Sequence, residues 1–173
     1  AIRLYTEDEF EAALSALKST GVIVRPLQER MLRNLLHDGK DLVVRVPTGH
    51  GKSTGVILAA KIRPPVMIVG VLRLQLDSLA AECKMRGLKV LRIDGSTMDT
   101  GKKTAASTLA SLKTCLAGRP SWSAVLIMAP QLYTNKGVKD LTSKIVRLGR
   151  FSVIAFDEFV CPLTDVVYRP NLY

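Results

Sequence analysis

The stretch Val43-Val44-Arg45-Val46-Pro47-Thr48-Gly49-His50-Gly51-Lys52-Ser53-Thr54 restricts the fold more than any other part of the chain. It reads as a buried strand, a glycine turn and the start of a helix. Gly49 and Gly51 let the backbone curl so that successive N–H groups converge on an anion. Gly51-Lys52-Ser53 matches the end of a phosphate-binding loop. In such a loop the helix N-terminus adds partial positive charge, the lysine reaches the β and γ phosphates, and the serine hydroxyl holds Mg²⁺. The expected roles are therefore phosphate contact for Lys52, Mg²⁺ ligation for Ser53, and a cradle completed by Thr48, Gly49, His50, Gly51 and Thr54. The strict pattern opens on glycine, and this chain has Val46 there. A turn with a solvated lysine is the bland reading of a bare Gly-Lys-Ser; the strand–loop–helix setting favours nucleotide.

The rest of the chain repeats strand and helix. Apolar runs of strand length fall at 42–46, 66–71, 90–93, 124–128 and 153–156. Most are continuous and not alternating, as parallel strands covered on both faces are. Helical periodicity fills the gaps: Ser53 to Ala60, Leu76-Leu79-Ala80-Cys83, Ala105-Leu109-Leu112-Leu116 and Val138-Leu141-Ile145-Leu148. Two further helices precede the loop. Thr6 and Glu9 form a capping box ahead of Phe10, Leu14 and Leu17, and Arg25-Pro26-Leu27-Gln28 leads into Met31, Leu32, Leu35 and Leu36. The pattern predicts one α/β domain over residues 1–173, a mostly parallel sheet with helices on both faces and the ligand at the strands' carboxyl ends. Arg119-Pro120-Ser121-Trp122-Ser123 reads as a surface loop.

A second acid site completes the phosphate chemistry. The run Val153-Ile154-Ala155-Phe156 ends in Asp157-Glu158 at the sheet's carboxyl edge. Asp157 is placed to bind Mg²⁺, directly or through water, and Glu158 to deprotonate an attacking water. That argues for hydrolysis, since binding alone needs no base.

Composition narrows the partners. Lys and Arg total 25 against 15 Asp and Glu, a formal charge of +10, which favours polyanions. Aromatic residues make up only 5%, so base-stacking platforms are scarce. Arg73, Lys102, Lys103 and Lys136 fall where DNA phosphates could sit, and an ordinary solvated face explains them equally well. No apolar run approaches a membrane span, so no membrane partner is expected. Cys83, Cys115 and Cys161 show no pairing or zinc spacing, which fits a reducing nuclear compartment, or the cytoplasm of a prokaryote. A start at Ala1 is expected of a segment cut from a longer protein.

Several segments, in order, resemble the first RecA-like lobe of RecQ-type DNA helicases of superfamily 2. Arg25-Pro26-Leu27-Gln28 resembles that family's Arg-x-x-Gln element. Val46-Pro47-Thr48-Gly49-His50-Gly51-Lys52-Ser53 is similar to its Met-Pro-Thr-Gly-x-Gly-Lys-Ser, which accounts for the absent first glycine. Val69-Gly70-Val71-Leu72-Arg73-Leu74 and Met128-Ala129-Pro130-Gln131-Leu132-Tyr133 lie where the family has DNA-contacting segments. Asp157-Glu158-Phe159-Val160-Cys161 resembles Asp-Glu-Ala-His-Cys, and Tyr168-Arg169-Pro170 resembles Phe-Arg-Pro. The resemblance implies a RecA-like P-loop NTPase fold, ATP and Mg²⁺ as cofactors, single-stranded or forked DNA as partner, adenine recognition by Gln28 with Arg25 beside it, and a second RecA-like lobe, absent from these residues. It departs at Phe159 and at Val160, where the family's coupling histidine stands, and the loop 162–167 carries no tryptophan or histidine.

The expected function is the ATP-binding lobe of a RecQ-like DNA helicase, with Lys52 and Glu158 catalytic and little turnover by the lobe alone. A diverged, motor-deficient ATP-dependent DNA-binding or adaptor protein is the nearest alternative, and a small-molecule P-loop kinase the more distant one.

Overall fold

The computed structural model describes residues 3–47, 49–70, 73–95, 102–117, 125–130 and 135–157. Six helices are described: α1 (Glu7–Ser19), α2 (Pro26–Leu36), α3 (Lys52–Ile62), α4 (Arg73–Met85), α5 (Lys102–Leu116) and α6 (Lys136–Arg147). The strands are β1 (Val66–Val69), β2 (Val90–Ile93), β3 (Val125–Met128) and β4 (Val153–Phe156). They form one sheet in the order β2-β3-β1-β4, every pair parallel. None of the described helices is long and apolar enough to cross a membrane.

The helix starts follow their caps. The Thr6 hydroxyl accepts from the Glu9 N–H while Glu9 accepts from the Thr6 N–H, a reciprocal pair that satisfies two otherwise orphaned donors. At α2 the proline sits at the first helical position, where a missing N–H costs nothing. Asn135 caps α6 by accepting from the Val138 N–H at 3.2 Å.

The period-2 geometry of the strands sorts their side chains into two cores. Val66, Ile68, Val125, Ile127 and Val153 face a cluster with Phe10, Leu32, Ile57, Leu58 and Leu76. Met67, Val69, Leu126 and Met128 face the other cluster, with Leu112, Val138, Ile145 and Phe151. So α1 to α4 cover one face, and α5 and α6 the other. The chain moves one way across the sheet from β1 to β2 and the other way from β2 through β3 to β4. Right-handed crossovers require such a change of face with direction. The α/β class and its helices on both faces match the expectation.

One element departs from it. Residues 42–46 form no strand. Leu42, Val44 and Val46 are half-buried, Asp41 and Arg45 exposed, and Val43 almost fully exposed. The reason lies in the alternation. A strand covered on both faces would bury Arg45 without a partner, which costs far more than the apolar contact of Val43 returns. The segment therefore lies with one face down. The inner strands β1 and β3 are buried at all four positions, whereas Ile154 and Phe156 of the edge strand β4 are exposed. Leu148 also departs: it is the C-cap of α6 and is exposed rather than packed.

Cys83 is fully buried on the inner face of α4. Burial pushes its thiol up to about 11, with the neighbouring Glu82 carboxylate adding to the shift. Reaction with a disulfide or maleimide reagent requires the thiolate. At pH 8, labelling of Cys83 in the native protein, followed by peptide mass spectrometry, should be at least a hundredfold slower than in urea. Comparable rates in the two states would show that α4 lifts freely off the sheet.

Candidate functional site

The site starts from two glycines in left-handed conformation. Gly49 has φ of 80° and Gly51 has φ of 78°, a region costly for residues with a Cβ. Gly51 is also the N-cap of α3, so the turn feeds directly into a helix N-terminus. A Cβ at Gly51 would lie 2.5 Å from Nε2 of Gln28, a second reason for glycine there.

Gln28 explains that close approach. It is 3% exposed, and its Oε1 accepts from the Arg25 N–H at 2.9 Å while its Nε2 donates to the Gly51 carbonyl at 3.3 Å. Arg25 reaches the same loop, donating from Nη1 to the Gly49 carbonyl at 3.4 Å. The start of α2 is thus fastened to the glycine turn by two side chains. Arg25, Pro26 and Leu27 line a shallow cleft of about 320 Å³ together with Gly49 and His50.

On the other side of the loop lies a cleft of about 350 Å³ between α3, α4 and the end of β4. Lys52 is half-buried here and its Nζ donates to the Val46 carbonyl at 2.9 Å, spanning the loop from the helix start to its entry. Ser53 Oγ donates to Asp157 Oδ2 at 3.1 Å, joining residues 104 positions apart in sequence. Asp157 is set there by the sheet: its N–H donates to the Val69 carbonyl at 2.9 Å, continuing the β1–β4 ladder past the strand end. A cation held by both oxygens fits this spacing. Adjacent ligands of an octahedral Mg²⁺ with bonds of about 2.1 Å stand about 3 Å apart. One hydroxyl and one carboxylate are hard oxygen donors of the kind that Mg²⁺ takes alongside phosphate oxygens and waters. No cluster of three or more His, Cys, Asp or Glu side chains is present among the described residues, so the pair does not form an all-protein cage.

Two contributors were not legible in the sequence. Glu82 lines the second cleft, and its Oε1 accepts from the Thr54 hydroxyl at 2.8 Å and from the Nε and Nη2 of Arg86 at 3.1 and 3.0 Å. This ties the first turn of α3 to α4. The Glu82–Arg86 spacing of four reads in sequence as an ordinary helix pair, and nothing marks it as a partner of Thr54. Gln75 lines the same cleft, with an Oε1 that is buried and accepts no hydrogen bond.

The structure brings together Arg25, Gln28, Gly49, His50, Gly51, Lys52, Ser53, Thr54 and Asp157 around one loop. Thr48, Glu158, Phe159, Val160 and Cys161 lie outside the described residues, as do loops 119–123 and 162–167, Val71, Leu72, Gln131, Leu132, Tyr133 and Tyr168-Arg169-Pro170. No protein-family profile matches the chain, and no curated protein sequence matches it.

Proposed function

We propose that this chain is the ATP-binding lobe of a RecQ-like DNA helicase, in which Mg·ATP sits across the Gly49–Lys52 turn. The observation that carries the reading is the Ser53–Asp157 contact at 3.1 Å, made at a helix N-terminus and at the carboxyl end of a parallel sheet. A turn with two left-handed glycines, a lysine and a hydroxyl–carboxylate pair supplies what a triphosphate with Mg²⁺ needs. Lys52 would turn from the Val46 carbonyl to the β and γ phosphates. Ser53 and Asp157 would hold Mg²⁺, which when bound neutralises charge on the phosphates and orients them. Arg25 lines the cleft on the far side of the turn, where the base would lie, and Gln28 bonds the same turn at the Gly51 carbonyl. To read adenine, Gln28 would exchange its contacts with the Arg25 N–H and the Gly51 carbonyl for the base edge. Glu158, next in sequence to Asp157, would take the proton of the attacking water.

DNA and a second RecA-like lobe belong to this reading through the resemblance of the motifs and the net charge of +10. Val160 in place of histidine favours one further reading, a motor-deficient ATP-dependent DNA-binding or adaptor protein built on the same lobe. The deciding experiment measures ATP hydrolysis by the full-length natural protein with and without single-stranded DNA, using Glu158→Gln as the blank. DNA-stimulated turnover that Glu158→Gln removes is expected. ATP binding with no stimulated turnover would select the motor-deficient reading, and no ATP binding would overturn both.

A further inference from the structure

The solvent face of α6 carries four cations and one acid, and a fifth cation lies just past its end. Lys136, Lys139, Lys144, Arg147 and, just past the helix, Arg150 are all exposed, against the single carboxylate of Asp140. With about 100° between successive helical residues, Lys136, Lys139, Lys144 and Arg147 fall within an arc of about 140°, which also holds Asp140, four residues from Lys136 and from Lys144. Val138, Thr142 and Ile145 occupy the opposite, buried side. The eleven steps from Lys136 to Arg147, at about 1.5 Å each, give the stripe a length of about 16 Å.

On α1 and α2 several cations are paired, whereas exposed cations such as Lys61 and Lys84 stand singly and apart from one another in sequence. Arg33 pairs with Glu7 and Glu11, Lys18 with Glu29, and Arg3 with Glu9 across α1 and α2. None of the ion pairs among the described residues involves the α6 cations. Helix stability does not account for the stripe either. Cations near a helix C-terminus complement the macrodipole, which suffices for Lys144 and Arg147. Lys136 stands at the opposite end, the first residue of a helix with no acid in its first turn, where a cation opposes the dipole. By contrast α1 opens on Glu7, Asp8 and Glu9. The surface lies on the face of the sheet opposite α3, away from the glycine turn.

We propose that the outer face of α6 is a docking surface for the phosphate backbone of a nucleic-acid duplex. A row of solvated cations suits evenly spaced phosphates, which it binds by releasing condensed counterions and without reading sequence. Single strands are held by stacking bases on aromatic side chains, and residues 136–150 contain none. A duplex offers its backbone and keeps its bases stacked inside, so this face matches the duplex. The proposal goes beyond the nucleotide site and does not depend on it.

The test uses fluorescence anisotropy with a labelled duplex of about two helical turns, without nucleotide or Mg²⁺, over a series of salt concentrations. The triple variant Lys139→Gln, Lys144→Gln, Arg147→Gln removes three cations from α6. Its control, Lys18→Gln, Lys61→Gln, Lys84→Gln, removes the same charge from α1, α3 and α4. All six positions are exposed, and urea midpoints verify that both variants fold. The α6 triple should weaken duplex binding at least tenfold at about 0.1 M salt and flatten the log–log salt slope by about three, one for each phosphate no longer neutralised. The control should change affinity less than threefold. Equal losses in both triples would mean that net charge alone drives binding. An unchanged α6 triple, or tighter binding of the single strand than of the duplex, would also overturn the proposal. So would polyglutamate binding as tightly at equal charge, which would assign the face to an acidic protein partner.

Discussion

Replacing Lys52 with alanine should lower the affinity for Mg·ATP by between about tenfold and about a hundredfold while leaving the fold almost as stable as before. The two halves of that result have different physical sources. The ammonium stands at the glycine turn's helix start and lines the second cleft, along which it has reach. A charge-assisted hydrogen bond to an ionised group contributes about 1.5–3 kcal/mol, and each 1.4 kcal/mol is about tenfold in affinity. The fold loses far less. In the protein Lys52 donates to the carbonyl of Val46, a half-buried residue of the loop entry. Water can replace a donor at such a position, so the cost is about 1 kcal/mol or below. Lys52→Arg should not restore affinity, because a planar fork differs in shape and reach from a compact ammonium. Isothermal calorimetry of Mg·ATP binding, with urea unfolding of the same samples, separates the two effects. A loss of affinity matched by a comparable loss of stability would mean that the lysine only holds the loop. Unchanged affinity would remove it from the phosphate site.

The glycine turn and its acid partner were legible because phosphate chemistry constrains residue type at short spacing. Gly49, Gly51, Lys52 and Ser53 announce a left-handed turn into a helix, and both positive φ angles are present. Asp157 could be paired with Ser53 only by inference across 104 positions, and the parallel sheet brings them together. Helix periodicity was also informative: Phe10, Leu14 and Leu17 are buried where their spacing of three and four puts them. The 42–46 run was misleading for a local reason. Counted as apolar residues it resembles a core strand, but Asp41, Val43 and Arg45 share one face, and the two charges that flank Val43 exclude that face from a covered sheet. Glu82 was invisible for a different reason. Its role rests on how α3 and α4 pack, and nothing in the sequence of α4 encodes the position of Thr54. Gln28 shows the limit of assigning a role from residue type. Its amide is occupied at both ends by the chain itself, so it positions the loop whatever else it does.

Phe10→Ala should remove about 3–5 kcal/mol of stability, a large part of the total of about 5–15 kcal/mol expected for a domain. Phe10 is fully buried and among the largest side chains in the core that joins α1, α2 and α3 to the sheet. Its ring packs near His37, with centroids 6.3 Å apart, and carries the Arg33 guanidinium 4.9 Å from its centre. Arg33 in turn holds Glu7 and Glu11, and its guanidinium beside Glu7 keeps that carboxyl below the usual carboxylate range. Truncation therefore opens a cavity and also loosens an ion-pair cluster, although the exposed pairs contribute little by themselves. Phe10→Leu, which keeps most of the volume, should cost about 1–2 kcal/mol. The effect reaches the site through α2. Phe10 and Leu32 share one core cluster, and α2 begins at the residues that grip the glycine turn. At a temperature where Phe10→Ala is still folded, Mg·ATP affinity should fall less than threefold, because the bonds of Arg25 and Gln28 at the turn involve no atom of Phe10. Urea unfolding followed by circular dichroism measures the first effect, and calorimetry on the same protein the second. A loss of affinity above tenfold in the folded variant would show that α1 sets the geometry of the turn directly, and a stability loss below 1 kcal/mol would mean that α1 is not part of the cooperative core.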